Sequence, residues 1–394
     1  IMIGRLKFDI ASLVDEILDQ LPSEVWSSST TTFLDPAMGG GQFVRAIENR
    51  LRNAGHSSEN ISKRVYGYES NRMRINFAVN KYKLVGTYTN ADFLEDKVDM
   101  KFDVIVGNPP FQNRAENSDG ALWLKFVNKG IDCLDTNGKL AFITPTSWIG
   151  KITKTSKANF SPFTDNHVEY LKVLTSEEVD TYFKGVGSSF GYYVLSNGTG
   201  VTNLVLDDNS IVPYQLKLGE PLPKKLNQHS VSVHQKVSTS PKVLFNANFK
   251  MHSQVLKKKK IVSDDKNDTF CYTTYYSHNL IRYSSEKHEL FDKIKVMIPI
   301  VGTLKNAWTD KNCNFTEDVR FLTVDTQEEA DNMIKVFKSN LFLYLGAQYR
   351  SGRNLGLALQ FLPSLDFTKS WTDEALYKHF NLTTEEIQYV ESNH

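Results

Sequence analysis

Short apolar runs alternate with amphipathic segments of helical periodicity through the first half of the chain. Segments 42–52, 71–83 and 121–134 place their apolar residues on one helical face. The apolar runs that predict β-strands lie at 31–34, 64–68, 84–88, 102–106, 139–144, 168–174 and 190–195. Strand–helix repeats of this length predict an α/β fold with a doubly wound, mostly parallel seven-stranded sheet covered by helices on both faces.

The alternation stops at residues 196–200, where Ser, Asn, Gly, Thr and Gly follow one another. A cluster of turn-forming residues predicts a domain boundary. Beyond it the pattern changes to short β-like segments, a helix at 327–338 and an acidic helical tail at about 366–394. We therefore expect a first domain over 1–198 and a mixed α+β second domain over 199–394.

Composition limits the possible functions. The chain has 394 residues, of which 40% are hydrophobic, and a net charge of +1. It contains no apolar run of the roughly 18–20 residues that a membrane span needs, and residues 1–9 lack the basic stretch followed by an apolar run that would predict a signal peptide. Cys133, Cys271 and Cys313 show no CxxC spacing, which argues against a disulfide framework and a zinc site. We expect no membrane partner, no metal and a cytoplasmic location.

The first chemically informative segment follows the first predicted strand and runs from Asp35, Pro36 and Ala37 to a glycine triplet that includes Gly39 and Gly41. Glycines allow a ligand to approach the backbone closely, and the start of the next helix offers free N–H groups. The pattern is typical of a cofactor loop, although dinucleotide enzymes use similar turns. No Gly-Lys-Ser/Thr follows, which excludes a Walker loop.

Acidic residues follow the second and third predicted strands. Glu69, followed by Ser70, could accept hydrogen bonds from ribose hydroxyls, and a helix-capping role is equally consistent with its position. Asp92 could accept a bond from an adenine amino group while Phe93 packs against the ring. In isolation, Asp92 is more typical of a turn.

The fourth predicted strand runs directly into Asn108, Pro109, Pro110 and Phe111. The two prolines fix the backbone and remove two N–H donors, which leaves carbonyl acceptors near the Asn108 amide oxygen. Two acceptors can bind the two hydrogens of an exocyclic amino group while a base stacks on Phe111. The segment follows a strand at the edge where open α/β sheets bind ligands, so a purely structural turn is the less favoured interpretation.

Taken in order and spacing, these segments resemble the N6-adenine DNA methyltransferases of bacterial and phage restriction–modification systems in their gamma arrangement. The resemblance covers about residues 10–196. It implies S-adenosylmethionine as cofactor, bound by Asp35, Pro36, Ala37, Gly39, Gly41, Glu69, Ser70, Asp92, Phe93 and Asn108. It also implies that Asn108, Pro109, Pro110 and Phe111 are catalytic and that Phe111 and Phe183 line a pocket for a flipped adenine. Residues 112–120 would close over that base. The family's usual Thr-Pro before the first helix is replaced by Phe8-Asp9-Ile10-Ala11.

The second half carries the candidate contacts to double-stranded DNA. Residues 216–260 contain ten lysines and one acidic residue, a composition typical of a surface that binds a polyanion. Lys257, Lys258, Lys259 and Lys260, here called the lysine run, are either phosphate contacts or a solvated loop. Arg350, Arg353 and Asn354 are candidates for reading guanine and adenine.

Three other functions remain open, two of them enzymatic. An RNA base methyltransferase and an N4-cytosine DNA methyltransferase use related tetrapeptides, and a DNA-binding subunit without catalysis could retain the fold. C5-cytosine transfer is disfavoured because no cysteine follows a proline. The resemblance also suggests a cognate restriction endonuclease as a separate partner, and a monomer or weak dimer.

Overall fold

A computed structural model describes residues 10–111, 122–150, 160–183, 189–217, 219–248, 250–350 and 353–394. The chain divides into two compact units, Ile1–Pro221 and Leu222–His394, called here the first and second units. Among the described residues, no helix combines the length and apolar character that crossing a membrane requires.

A single large sheet organises the first unit. Its described strands are β1 (Phe33–Asp35), β2 (Val65–Tyr68), β3 (Thr87–Thr89), β4 (Phe102–Gly107), β5 (Leu134–Pro145), β6 (Asn166–Val173), β7 (Phe190–Asn197), β8 (Thr202–Val205) and β9 (Ile211–Tyr214). In the part of the chain that is described, these nine strands lie in the order β3-β2-β1-β4-β5-β7-β6-β8-β9. The five neighbouring strands β3, β2, β1, β4 and β5 are parallel to one another, and β7 is antiparallel to both of its neighbours, β5 and β6.

Two details of the predicted architecture are wrong. The sheet has nine described strands instead of seven, because β8 pairs with β6 and β9 pairs with β8. The predicted boundary at residue 198 therefore falls inside the sheet, and the compact unit extends to Pro221. The turn cluster at 196–200 connects two strands of one sheet and does not separate two domains.

Helices cover both faces of this sheet, as predicted. Val104 and Val106 of β4 share a core with helical residues such as Ile17 and Ile47. Because side chains alternate along a strand, Ile105 points to the opposite face, the face of its register partner Leu140. There the helix Leu122–Asp132 packs so closely that a Cβ on Gly130 would lie 2.7 Å from Cδ1 of Leu140. The described helices are α1 (Ile10–Leu18), α2 (Glu24–Ser27), α3 (Gln42–Asn53), α4 (Ser58–Ser62), α5 (Arg72–Tyr82), α6 (Leu122–Asp132), α7 (Ser161–Thr164) and α8 (Ser176–Tyr182).

A buried carboxylate on α3 holds the start of β3. Glu48 is fully buried, and it accepts hydrogen bonds from the backbone N–H groups of Val85 and Gly86 at 2.9 and 2.8 Å and from the Tyr88 hydroxyl at 2.5 Å. Arg52 forms an ion pair with the same carboxylate. These bonds tie the edge strand β3, and the two residues that precede it, to the helix that begins after the glycine triplet.

The second unit contains two four-stranded sheets in its described part, ordered β10-β17-β14-β15 and β11-β13-β12-β16. Its strands are β10 (Asn246–Ala247), β11 (Val262–Ser263), β12 (Tyr272–Ser277), β13 (Leu280–Ser284), β14 (Ile294–Pro299), β15 (Trp308–Asp310), β16 (Asn314–Phe315) and β17 (Val319–Val324). Its helices are α9 (Gln228–Ser238), α10 (Ser253–Lys259), α11 (Gln327–Phe337), α12 (Asn340–Tyr349), α13 (Asp373–His379) and α14 (Thr384–Ser392). The predicted helical tail is two helices, separated by a turn in which Asn381 has a φ of +52°.

Candidate active site

Four polar residues lie at the carboxyl ends of four adjacent parallel strands. Asp92, Glu69, Asp35 and Asn108 follow or end β3, β2, β1 and β4, in that spatial order. Neighbouring strands are about 4.8 Å apart, so the row spans roughly 14 Å. The strand order reverses between β1 and β4, and this is where open α/β sheets form a ligand-binding crevice.

Asp35 is the buried acid at the centre of this row. Its carboxyl is 1% exposed, and Oδ1 accepts a hydrogen bond from the backbone N–H of Ala37 at 3.1 Å. Burial raises the pKa of Asp35 to about 7, and the nearby negative charge of Glu69 adds to the rise. In the described ranges, no ion pair joins Asp35 to a basic side chain. The site thus contains a buried acid whose ionised form a bound cation would stabilise.

Gly107 makes room for Asp35, a role that the sequence analysis did not assign. A Cβ at position 107 would lie 3.0 Å from Oδ1 of Asp35 and 3.5 Å from Cδ of Pro36. The residue just before Asn108 must therefore be small for the two strand ends to approach. A glycine between an apolar strand and Asn-Pro-Pro was a visible signal for this close approach.

The glycine triplet forms a tight turn into α3. Gly39 and Gly41 have φ values of +51° and +83°, and Gly41 is the N-cap of the helix. A Cβ on Gly41 would lie 2.8 Å from Cβ of Ala78 on α5. Met38 ties the turn to β2 through its N–H, which donates to the Tyr68 carbonyl at 2.9 Å. The turn is thus fixed beside Asp35, with a helix start next to it.

Glu69 lies just after β2 and is 8% exposed. Its Oε1 accepts a bond from the Asn71 N–H at 2.8 Å, while Arg74 is 3.8 Å from Oε2. The Asn90 side-chain amide donates to the carbonyls of Glu69 and Ser70, at 3.0 and 2.9 Å. The Asn71 N–H orients the carboxylate without an intimate ion pair. The N-cap of the helix that follows is Asn71, whose side chain accepts the Met73 N–H, so the helix-capping alternative for Glu69 is wrong and hydroxyl binding stays a prediction.

Asp92 and Phe93 differ sharply in exposure. Asp92 is exposed, and its Oδ1 accepts the Leu94 N–H at 2.9 Å in the turn that its sequence suggested. Phe93 is 1% exposed and packs between Tyr68 and Phe126, with ring centroids 5.4 and 5.9 Å away. Phe93 belongs to the core in this structure, and its contact with a cofactor ring stays a prediction.

Beside the Asn-Pro-Pro-Phe segment, the structure brings three aromatic rings together. Asn108 is exposed at the end of β4, whereas Phe111 is half-buried. The Phe111 ring lies 5.9 Å from Phe183 and 4.7 Å from Phe190. Phe183 and Phe190 stack at 4.8 Å. The two predicted pocket residues are therefore neighbours, and Phe190 is a third member that the sequence analysis did not single out.

Two predicted parts of this site lie outside the described residues. They are the closing loop at 112–120 and residues 184–187, which together with Phe183 resemble the family motif whose aromatic residue lines the target-base pocket. Within the described ranges, no group of three or more His, Cys, Asp or Glu side chains is arranged to hold a metal ion.

The predicted DNA contacts all lie in the second unit. The lysine run is exposed and forms the last turn and C-cap of α10, so it is helical and not a loop. Cations are favourable at a helix C-terminus, so this position alone does not require a nucleic acid. Arg353 and Asn354 are exposed, and Arg350 is half-buried directly after α12. Their contact with DNA stays a prediction.

The first unit is thus an open α/β domain with its candidate site residues at the carboxyl edge of its sheet. Residues 43–179 match the family model of the Eco57I restriction-modification methylase. The matched segment contains Glu69, Asp92 and the Asn-Pro-Pro-Phe sequence. The predicted resemblance to restriction–modification methyltransferases is confirmed for this part of the chain.

Solved structures show similarity at low sequence identity. The chain is similar to the type IIL restriction-modification enzyme MmeI, solved in complex with DNA, with a TM-score of 0.48, 11% identity, and coverage of 98% of this chain and 71% of that one. It is also similar to a modification subunit of a type I restriction enzyme from Vibrio vulnificus YJ016 (TM-score 0.41, 16% identity, 57% and 50% coverage). The EcoKI M protein gives a TM-score of 0.41 at 14% identity, with 50% and 47% coverage. The chain thus covers about half the length of these two subunits. No curated protein matches the chain.

Proposed function

We propose that this protein is a DNA methyltransferase that transfers the methyl group of S-adenosylmethionine to N6 of an adenine flipped out of duplex DNA. The observation that carries the proposal is the row Asp92, Glu69, Asp35 and Asn108 along one sheet edge, within and beside the segment that matches a restriction–modification methylase. The order of the four residues in space differs from their order in the sequence. It fits one extended ligand along Asp92, Glu69 and Asp35, with Asn108 next to it as the acceptor for an amino group.

The residues present fit the cofactor. Asp35, buried and without an intimate basic partner among the described residues, would hold the positively charged methionyl part beside the tight turn at Gly39 and Gly41. Glu69, one strand away, would accept hydrogen bonds from the ribose hydroxyls. Asp92, at the far end of the row, would accept a hydrogen bond from the adenine amino group. When bound, S-adenosylmethionine supplies an electrophilic methyl group on a sulfonium.

Asn108 and the carbonyl of Pro109 would hold the target nitrogen. They would accept hydrogen bonds from the two N6 hydrogens of the target adenine, which turns the nitrogen lone pair towards the methyl group. This residue set contributes mainly by positioning, and no covalent intermediate is required. Extrusion of the base costs a few kcal/mol. Stacking on Phe111, worth roughly 1–3 kcal/mol per base, offsets much of that cost.

The test uses purified protein, S-adenosylmethionine with a labelled methyl group, and duplex DNA containing all short sequence combinations. Nucleoside mass spectrometry of the product should show N6-methyladenine with the wild type and none with Asn108→Ala. N4-methylcytosine would refute the adenine assignment, and labelling of RNA alone would refute the DNA assignment. Cofactor binding without transfer to any nucleic acid would identify a DNA-binding subunit without catalysis.

A further inference from the structure

A groove in the second unit brings together side chains that are far apart in sequence. It has a volume of about 590 Å³, and Arg320, Asn354 and Gln360 are its main polar lining residues. Apolar residues complete its lining, among them Leu244, which is 81% exposed. Of these residues, only Asn354 was a predicted DNA contact.

The groove has the composition of a surface that reads base edges. Arginine pairs bidentately with guanine, asparagine and glutamine with adenine, and apolar groups contact the thymine methyl. A surface that bound only phosphates would be expected to present several lysines. The described lining residues include one cation, Arg320, and no lysine.

The polar groups of the groove are held on fixed backbone. Arg320 lies on β17, between β10 and β14, and its backbone is paired with Ala247 and Ile298. One Nη1–H of Arg320 donates to the Glu317 carbonyl at 2.8 Å, and this bond orients the guanidinium. A guanidinium has five N–H donors in all, so others are left to bind a base. Asn354 pairs with Val301 through an isolated β-bridge, and its Oδ1 accepts the Gly356 N–H at 2.7 Å.

We propose that this groove determines the DNA sequence that the protein recognises, with Arg320 reading a guanine and Gln360 and Asn354 reading adenines. The inference rests on the proposed function and adds the residues that set its specificity. It assigns the main arginine contact with a base to Arg320 and no longer to Arg350 or Arg353. Only Arg320, among these three arginines, lines the groove.

The experiment measures methylation of a plasmid library that carries randomised sites, read by sequencing that detects methylated bases. With the wild type, the methylated sites define a consensus. With Arg320→Met, one guanine position should become degenerate, with a loss of discrimination of roughly 5- to 150-fold there, the range of one bidentate contact. Gln360→Ala should relax an adenine position and leave the guanine position unchanged.

Arg320→Lys is the matched variant. It retains the positive charge but loses the planar fork, so a base reader should lose specificity as Arg320→Met does. If Arg320 instead contacts a phosphate, the Arg320→Lys protein should keep the wild-type consensus and most of its affinity for DNA. Lys335→Ala, which removes an exposed cation on α11 outside the groove lining, is the control that should leave the consensus intact. Arg353→Ala tests the contact predicted from the sequence, and we expect it to leave the consensus intact as well.

The outcomes separate this inference from the proposed function. If the wild type methylates no DNA, the proposed function itself fails. If the wild type yields a consensus that Arg320→Met and Gln360→Ala leave unchanged while both remain folded by circular dichroism, the groove does not read bases. If Arg353→Ala alone relaxes a position, the reading residue lies in the loop after α12 and the groove assignment is wrong.

Discussion

Asp35→Asn is expected to stabilise the cofactor-free protein at neutral pH although it removes a residue placed in the active site. The native pKa of Asp35 is raised from 3.8 to about 7, mainly by burial. A carboxyl with a raised native pKa holds its proton more tightly in the folded state than in the unfolded state. Its contribution to stability is therefore complete below about pH 4, and it is lost as the pH rises through 7.

The size of the effect follows from the two pKa values. They differ by about 3 pH units, and each unit is worth 1.36 kcal/mol, so ionisation of Asp35 costs about 4 kcal/mol above pH 8. Asparagine has the same shape and can still accept the Ala37 N–H, but it buries an amide that costs roughly 1–2 kcal/mol. We expect a net stabilisation of about 2 kcal/mol at pH 8 and none at pH 5.

The assay is urea unfolding of wild type and variant at both pH values, with Asp92→Asn, an exposed acid on the same sheet edge, as the control. Titration with S-adenosylmethionine should show binding to the wild type that tightens up to about pH 7, and weaker, pH-independent binding to Asp35→Asn. A difference in unfolding free energy that is the same at pH 5 and pH 8 would show that Asp35 carries no ionisation cost.

Three further changes probe other parts of the molecule. Asn108→Ala should reduce methyl transfer by at least about 100-fold and change the cofactor Kd far less, since the main loss is the hydrogen bond to the target amino group; an equal loss of cofactor binding in calorimetric titration would place the site elsewhere. Replacing the lysine run by glutamines should weaken binding to all duplexes alike and reduce the salt slope by about 0.9 for each phosphate that a lysine had neutralised, and an unchanged slope would assign the run to solvated surface. Lys295→Met should lower the free energy of unfolding by about 2–4 kcal/mol, measured by urea titration, because the fully buried Nζ donates to the carbonyls of Leu290, Phe291 and Lys293 at 2.7–2.9 Å; a decrease below about 1 kcal/mol would mean that water replaces the amine.

The elements of the first unit could be predicted because their signals are local. Strands β1 and β4 are short runs buried on both faces, and Asp35 and Asn108 stand at their ends. Strand β3 is more exposed, and its signal in the sequence is correspondingly weaker. Side-chain burial was harder to predict, since Phe93 looked like a ligand contact and lies in the core. Glu48 shows the same limit, because nothing in its helix indicates that its carboxylate binds the start of β3.

The second unit was predicted less well because its pattern is weaker and its contacts are distant in sequence. Helix α12 is apolar on nearly every side, so it has little periodicity, and its sequence carried no helical signal. Arg320, Gln360 and Leu244 meet in one groove although up to 116 positions separate them, a juxtaposition that no local pattern encodes.

The two strands added to the first sheet determine where the protein can be cut. A fragment that ends at residue 198 would leave one side of β6 without its partner β8, and an unpaired strand edge invites association with other chains. In the described sheet the outer strand on this side is β9, and Pro213 within it has no N–H to offer a foreign strand. Pro221 also packs near Gly150 of the same unit. A fragment that ends just after Pro221 should therefore stay monodisperse where the shorter one aggregates.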